Sequence, residues 1–162
     1  MDEIVLRAQA KWPGVPDVYG WLSLDRRGRW LLRDAARGTH EPIGNLALRQ
    51  FIARNYSCDA RGCWFFQNGP QRVFVRLAYT PLVVRAHGVA FLDQCERTFD
   101  SRAAMLDEEG SVLLLADRSI ALLDDRDLAA YAEAQGDSIA ALPRIESRDV
   151  PGRFGFVADP AP

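Results

Sequence analysis

Lysine is all but missing from this chain: Lys11 is the only one, set against 19 arginines. So lopsided a choice reads first as GC-rich coding, hence a bacterial origin, and only second as chemistry. Histidine is nearly as scarce, with His40 and His87 alone. An imidazole base therefore has two candidates, and both fall where the pattern reads as turn or loop: His40 closes the stretch 34–40, and His87 precedes Gly88. There is no Gly-x-Ser-x-Gly elbow, no Gly-x-x-x-x-Gly-Lys-Ser/Thr and no Gly-x-Gly-x-x-Gly after a strand. No catalytic residue is assigned, and the chain reads as non-enzymatic.

Cysteine is sparse and odd in number: Cys58, Cys63 and Cys95. An odd count in a chain of this size does not make a disulfide framework and fits a reducing compartment. Cys58 and Cys63 flank a tight turn and are expected to face each other across it. Zinc sites pair one close Cys couple with a second, and no second couple exists, so the thiols read as apolar filling. No metal and no cofactor are expected. No run of about 18 apolar residues is present, which excludes a membrane-spanning helix. The start, Met1-Asp2-Glu3-Ile4, is acidic and lacks the apolar stretch of a signal peptide. The expected location is cytoplasmic.

What is present is ordinary globular material. The 162 residues are 48% hydrophobic and 26% charged, enough for a core in one domain or two small half-domains. The net charge of −2 hides an asymmetry. Residues 1–85 carry 13 basic and 7 acidic side chains, for +6, and residues 86–162 carry 7 and 15, for −8. A basic half can hold anions.

Three segments read alike: Leu24-Asp25-Arg26-Arg27-Gly28-Arg29-Trp30, Cys58-Asp59-Ala60-Arg61-Gly62-Cys63-Trp64 and Leu106-Asp107-Glu108-Glu109-Gly110-Ser111-Val112. Each is an apolar approach, Asp-x-x-Gly, then an apolar run. Aspartate opens turns by bonding nearby backbone N–H groups, and glycine closes them by accepting positive φ, so each is a predicted β-hairpin. The first hairpin is followed by Pro42-Ile43 and a predicted helix from Asn45 to Asn55, with Asn45 as its cap and Leu48, Phe51, Ile52 and Asn55 at helical spacing. The third is followed by Ser119–Leu123 and a helix from Asp125 to Gln135, with Leu128, Tyr131 and Ala132 in its stripe, Asp124 as cap and Gly136 as stop. Arg72–Leu77 alternates as a half-buried strand, and His87-Gly88 sits between two short apolar runs.

The expected fold class is α+β, mostly antiparallel sheet, with two repeated β-hairpin–short strand–helix units packed into one globule. Residues 1–20 are the lead-in, with a short helix at 3–11 and an irregular stretch after it. Residues 21–93 hold the first unit and an aromatic meander, 94–149 the second unit, and 150–162 a Pro- and Gly-rich tail, frayed or draped over the body.

The runs Trp12-Pro13 to Trp30, Phe51-Ile52-x-Arg54-Asn55-Tyr56 and Trp64-Phe65-Phe66-Gln67-Asn68-Gly69-Pro70-Gln71-Arg72-Val73-Phe74-Val75 resemble an uncharacterised proteobacterial family of unknown function. The order of hairpin, helix, aromatic hairpin and strand is more distantly similar to a second uncharacterised bacterial family. That family has repeated strand-and-helix motifs and a proposed signalling role. The resemblance there rests on Asp25-x-x-Gly28-x-Trp30, Pro42-Ile43 and Asp59-x-x-Gly62-x-Trp64, and the segment 67–72 departs from it. Neither resemblance brings a catalytic residue.

Three constellations compete for function. The acids Asp107-Glu108-Glu109 and Asp124-Asp125 fall at a turn and a helix start, where acids favour the helix dipole. Arg26, Arg27, Arg29, Arg33 and Arg61 mingle with Trp21, Trp30 and Trp64, yet the tryptophans hold core positions after turns and the pI is about 5.7. Nucleic acid is therefore not an expected partner. That leaves the polar run Gln67, Asn68, Gln71 and Arg72 beside Arg54, Asn55 and Tyr56. A turn needs Asn68-Gly69, but not two glutamines and an arginine; planar amides and a guanidinium fix a ligand's polar groups by direction. The same residues equally suit a network tying a helix end to a hairpin. In the binding reading, Arg54 and Arg72 converge on an anion recess, and the protein is a non-enzymatic binding or signalling module for an anionic small molecule or an acidic segment. In the other reading each arginine pairs with an acid of the C-terminal half. The alternative function is a protein–protein adaptor that uses an exposed sheet edge.

Overall fold

An aspartate that accepts hydrogen bonds from N–H groups two and four residues ahead reverses the chain on itself, and this device builds most of the molecule. The computed structural model describes residues 1–162. It contains two six-stranded mixed sheets in two similar units. Unit 1 comprises residues 1–25, 29–78 and 155–162, and unit 2 comprises residues 26–28 and 79–154. The fold class is α+β.

In unit 1, α1 (Glu3–Lys11) precedes β1 (Val18–Leu24), β2 (Trp30–Arg33) and β3 (His40–Pro42); α2 (Leu46–Arg54) leads to β4 (Tyr56–Cys58), β5 (Trp64–Asn68) and β6 (Gln71–Leu77). The sheet order is β3-β2-β1-β6-β5-β4. Two antiparallel meanders thus meet at a central parallel pair, β1 with β6. Successive strand residues face opposite sides. Phe66 takes one side, with its cross-strand partner Tyr56 and the edge of Phe51 from α2 at 5.4 Å. Tyr56 in turn meets Trp30 edge-on at 4.9 Å and Trp64 at 4.8 Å. Phe65 takes the other side, opposite Phe74, on which Tyr19 stacks at 4.7 Å. Each such aromatic pair adds about 0.5–1.5 kcal/mol to the burial of its rings.

Unit 2 repeats the plan. β7 (Leu82–His87), β8 (Ala90–Asp93), β9 (Thr98–Phe99), β10 (Ala103–Leu106), β11 (Val112–Ala116) and β12 (Ser119–Leu123) are ordered β10-β11-β12-β7-β8-β9, again with one central parallel pair, β12 with β7. A 3₁₀ turn at Asp125–Asp127 leads into α3 (Leu128–Gln135), and α4 (Val150–Phe154) lies near the end of the unit. Val112, Leu113, Leu114, Ile120 and Ala121 are all fully buried. Both helix–meander segments read from the sequence are present: β1-β2-β3 then α2, and β10-β11-β12 then α3.

All three Asp-x-x-Gly segments are hairpin turns, with Gly28, Gly62 and Gly110 at φ 72°, 81° and 82°. The Asp59 carboxylate accepts from the N–H groups of Arg61 and Cys63, both at 2.9 Å, and Asp107 from those of Glu109 at 3.0 Å and Ser111 at 2.7 Å. Asp25 accepts from the Arg29 N–H at 2.8 Å. A fourth turn of the same build was hidden in the sequence. Asp93 accepts from the N–H groups of Cys95 at 2.8 Å and Arg97 at 2.9 Å, and Glu96 holds the position of the glycine at φ 62°.

Several expectations are corrected. The stretch after α1 is not irregular to its end, because β1 begins at Val18. His40 opens β3 rather than ending a loop, and its Nε2 is buried without a partner. Leu48 is exposed, because α2 packs only through its C-terminal half, where Ile52 and Ala53 are buried. Cys58 pairs with Trp64, and the Asp59 N–H bonds to the Cys63 carbonyl, so the two thiols leave opposite faces instead of meeting. The tail is not frayed: the Val157 N–H donates to the Gly62 carbonyl, and the Leu77 N–H to that of Ala158.

That tail makes Gly62 irreplaceable. A Cβ there would lie 2.2 Å from the Gly155 carbonyl oxygen, whereas one on Gly110 meets nothing within 4 Å. Gly110→Ala is expected to cost about 1–2 kcal/mol, the conformational term alone, and Gly62→Ala distinctly more. Glu96→Gly is expected to raise stability by up to about 1 kcal/mol, since relief of left-handed strain exceeds the added unfolded-state entropy. Urea unfolding midpoints check the ranking, and equal losses at 62 and 110 contradict it.

Candidate functional site

The hairpin β5–β6 turns at Asn68-Gly69-Pro70-Gln71, with Asn68 opposite Gln71 and Gly69 at φ 58°. Glycine at the first central position is what a two-residue hairpin of this kind demands. One step inward, Gln67 is opposite Arg72. Directly opposed residues share a face, so both lie with Phe65 and Phe74. The Arg72 guanidinium lies over the Phe65 ring at 4.8 Å and makes no ion pair and no hydrogen bond. Gln67 is 1% exposed. Its Nε2 donates to the Gly69 carbonyl at 2.9 Å, while its Oε1 is buried with no donor. Flipping the amide does not help, because it would set oxygen against the Gly69 oxygen. Gln71 Nε2 donates to the Pro16 carbonyl at 3.0 Å, and Asn68 is exposed.

The other three predicted residues form a separate group. Asn55, completely buried at the C-terminus of α2, accepts from the Asp2 N–H at 2.7 Å through Oδ1. Its Nδ2 donates to the Asp2 carboxylate at 3.2 Å and to the Phe51 carbonyl at 2.9 Å, and its own carbonyl accepts from the Gln67 N–H at 2.9 Å. Arg54 Nε donates to both Asp2 oxygens, at 3.2 and 3.3 Å. Asp2 stands at the N-cap of α1 yet bonds none of its N–H groups through the carboxylate. Asn55 foremost, then Arg54, holds the Asp2 carboxyl below the usual carboxylate range. Tyr56 is buried between Trp30 and Trp64.

The structure therefore does not bring Arg54 and Arg72 together. α2 lies on the Phe66 face, and Arg72 lies on Phe65, whose side chain leaves the opposite face. The expected recess between the two guanidiniums is not formed, and the acid that pairs with Arg54 comes from the N-terminus rather than from the C-terminal half. The thiolate forms are disfavoured: burial foremost, then the neighbouring Asp59, pushes the Cys58 thiol up to about 11, and burial pushes Cys95 up to about 12.

Sequence reasoning missed a second feature, a groove in unit 2 between α3 and the sheet, lined by Phe91, Ala104, Leu114, Ala130, Tyr131 and Ala134 among others. The signal for it was the composition of α3, four alanines around one tyrosine.

Against this geometry the comparisons with known proteins are informative about kinship alone. A family model described as "Protein of unknown function (DUF2946)", under the name DUF2944, matches residues 1–161. The chain belongs to the DUF2944 family. This agrees with the resemblance to an uncharacterised family. No curated protein matches the chain. Among solved structures, a DUF1285 family protein from Silicibacter pomeroyi DSS-3 is 14% identical over 82% of this chain and 84% of its own, with a TM-score of 0.51. One from Shewanella baltica OS155 is 15% identical over 73% of this chain and 94% of its own, with a TM-score of 0.43. The first likeness speaks for the fold.

The Asn55 network yields a test in this DUF2944 member. Asn55→Ala takes the acceptor from the Asp2 N–H and one donor from each of the Asp2 carboxylate and the Phe51 carbonyl, and is expected to cost about 1–3 kcal/mol. Arg54→Ala, an exposed member of the network, is expected to change stability little. Because the folded Asp2 carboxyl is depressed, its contribution is complete above the ordinary carboxylate range and is lost as pH falls through the lowered value. The protection factor of the Val5 amide, with the intrinsic pH dependence of exchange divided out, should therefore fall on acidification in the wild type and be low already at neutral pH in Asn55→Ala. Unchanged protection in both would remove Asn55 as the anchor of α1.

Proposed function

We propose that this protein is a non-enzymatic binding or signalling module of the bacterial cytoplasm that recognises an anionic small molecule or acidic segment, with Arg72 taking the charge. Gln67 lies beside it on the same face, Asn68 and Gln71 close the hairpin next to it on the opposite face, and Arg54, Asn55 and Tyr56 hold the helix end and sheet on which it stands. The observation that carries this reading is the pairing of a half-buried, unpartnered guanidinium with the orphaned Oε1 of Gln67 directly across the ladder. Stacking on Phe65 uses the face of the guanidinium and leaves its in-plane N–H donors free, as bidentate capture of a carboxylate or phosphate requires. A buried amide oxygen without a donor costs about 1–3 kcal/mol, and a ligand N–H or O–H removes that cost. The ligand so described has an anionic group beside a hydrogen-bond donor. The +6 charge of residues 1–85 favours its approach. The raised thiol pKa values support a role without covalent chemistry.

Native mass spectrometry of the purified protein shows whether such a molecule accompanies it. Independently, titration of ¹⁵N-labelled protein with inorganic phosphate is expected to shift the Gln67 side-chain amide and the Arg72 Nε–H. Arg72→Gln is expected to weaken this binding about tenfold or more, with unfolding unchanged, and Arg54→Gln to leave it intact. Shifts that survive Arg72→Gln, or none at all in the wild type, overturn the reading.

A further inference from the structure

Helix α3 is built as a bridge. At its N-terminal end Asp127 accepts from Arg85 Nε and Nη2 at 2.6 and 3.0 Å, and from the Ala86 N–H at 2.9 Å, which pins the helix to β7. Beyond its C-terminal end the chain passes through a 3₁₀ turn at Gly136–Ala141 and returns to β10, where the Leu106 N–H donates to the Pro143 carbonyl and the Ile145 N–H to that of Leu106. Between these two anchors α3 buries no residue. α2, lying on the sheet of unit 1, buries Ile52 and Ala53. The cause is in the sequence: α3 reads Leu-Ala-Ala-Tyr-Ala-Glu-Ala-Gln, and its alanines are too short to reach the sheet that the anchors hold away from them.

Beneath the bridge is a groove of about 570 Å³, within the range that holds small ligands. Its floor is the sheet face of Phe91, Ala104 and Leu114, and its roof is Ala130, Tyr131 and Ala134. Tyr131 stands 6.4 Å from Phe91, ring to ring. The charged side chains on its rim already have counter-ions: Arg102 pairs with Asp100 and Asp117, and Asp127 with Arg85. Besides the Gln135 amide, two neutral polar groups are left over. The Tyr131 hydroxyl makes no hydrogen bond, and burial raises its pKa, so it remains a donor. The backbone of Ala104 is the other. Asp107 exchanges hydrogen bonds with Ser111, so alternate residues of β10 face β11 and the others face outward. Leu106 faces outward and is satisfied by residues 143 and 145; Ala104, two residues back, also faces outward, and Pro143 has no N–H to give it.

We propose that this groove is a binding site for an uncharged, largely apolar small molecule that carries one hydrogen-bonding group. Its apolar body lies on Phe91 and Leu114 under the alanines of α3, and its polar end meets the Tyr131 hydroxyl and the Ala104 backbone. The site is independent of Arg72. The paired rim charges disfavour an anion here, and the absence of large α3 side chains supplies the room.

The test uses Nile red, a neutral apolar dye with a carbonyl acceptor, and the full-length protein. Saturable fluorescence enhancement with one site per chain is expected. Ala134→Phe and, from the opposite wall, Ala104→Leu are each expected to weaken dye binding at least tenfold while raising or preserving the melting temperature, because they fill the groove. Tyr131→Phe is expected to weaken it several-fold. Arg72→Gln is expected to leave it unchanged, which separates failure of this site from failure of the anion site. Undiminished dye binding in both groove-filling variants, with folding intact by circular dichroism, overturns the proposal. A concentration-dependent dimer in sedimentation that Ala134→Phe dissociates also overturns it, since the occupant is then a second copy.

Discussion

The aspartate-capped turn is the constraint from which the rest follows. In each of four turns the Asp N–H bonds to the carbonyl four residues on, and the carboxylate returns the bond to that residue's N–H. Five consecutive residues are thereby closed into one frame whose fourth member must take positive φ. Register in the following strand pair is then set, and a one-residue slip would turn every core side chain to the other face. Their environments still differ. Burial pushes Asp93 up, whereas for Asp59 the hydrogen bonds of Cys63 and Arg61 outweigh burial and push it down.

Asn55 carries the second level of organisation. One fully buried side chain ends α2, receives the N-terminus through Asp2 and, through its carbonyl, sets the strand that holds Gln67. A carboxylate there would meet the Asp2 carboxylate with like charge, and a leucine would leave the Asp2 N–H without its acceptor. The residues Arg54, Asn55, Gln67, Asn68, Gln71 and Arg72 thus split by physics into two sets. One is consumed by its own network, and the other retains an unpaired cation and an unpaired acceptor.

The sequence made the hairpins legible because Asp and Gly mark their turns in plain view. It concealed the turn at Asp93, where Glu96 takes a conformation that glycine would advertise. It also made the polar run 67–72 legible as something a turn does not require. It could not show on which face Arg54 and Arg72 lie, because that depends on α2 packing against Phe66 rather than Phe65. Nor could it show that Asp2, 52 residues away, is the partner of Arg54. The alanines of α3 fitted a helix, and only the two anchors reveal that they leave space beneath.

Why one helix packs and the other bridges follows from where each enters its sheet. In both units two meanders meet at a central parallel pair, so the chain must travel from one edge of the sheet to the other. In unit 1 this crossing runs from β3 to β4 and contains α2. Short links on both sides draw that helix onto the sheet: three residues separate β3 from α2, and one separates α2 from β4. In unit 2 the crossing from β9 to β10 is made by Asp100–Arg102 with no helix in it. The sheet is complete before α3 begins, so nothing in the strand connections presses α3 down. Its position is set instead by Asp127 at one end and Pro143–Ile145 at the other, both polar contacts at fixed distance. A helix held by its ends needs no large side chains beneath it, and the space left there is available to a ligand.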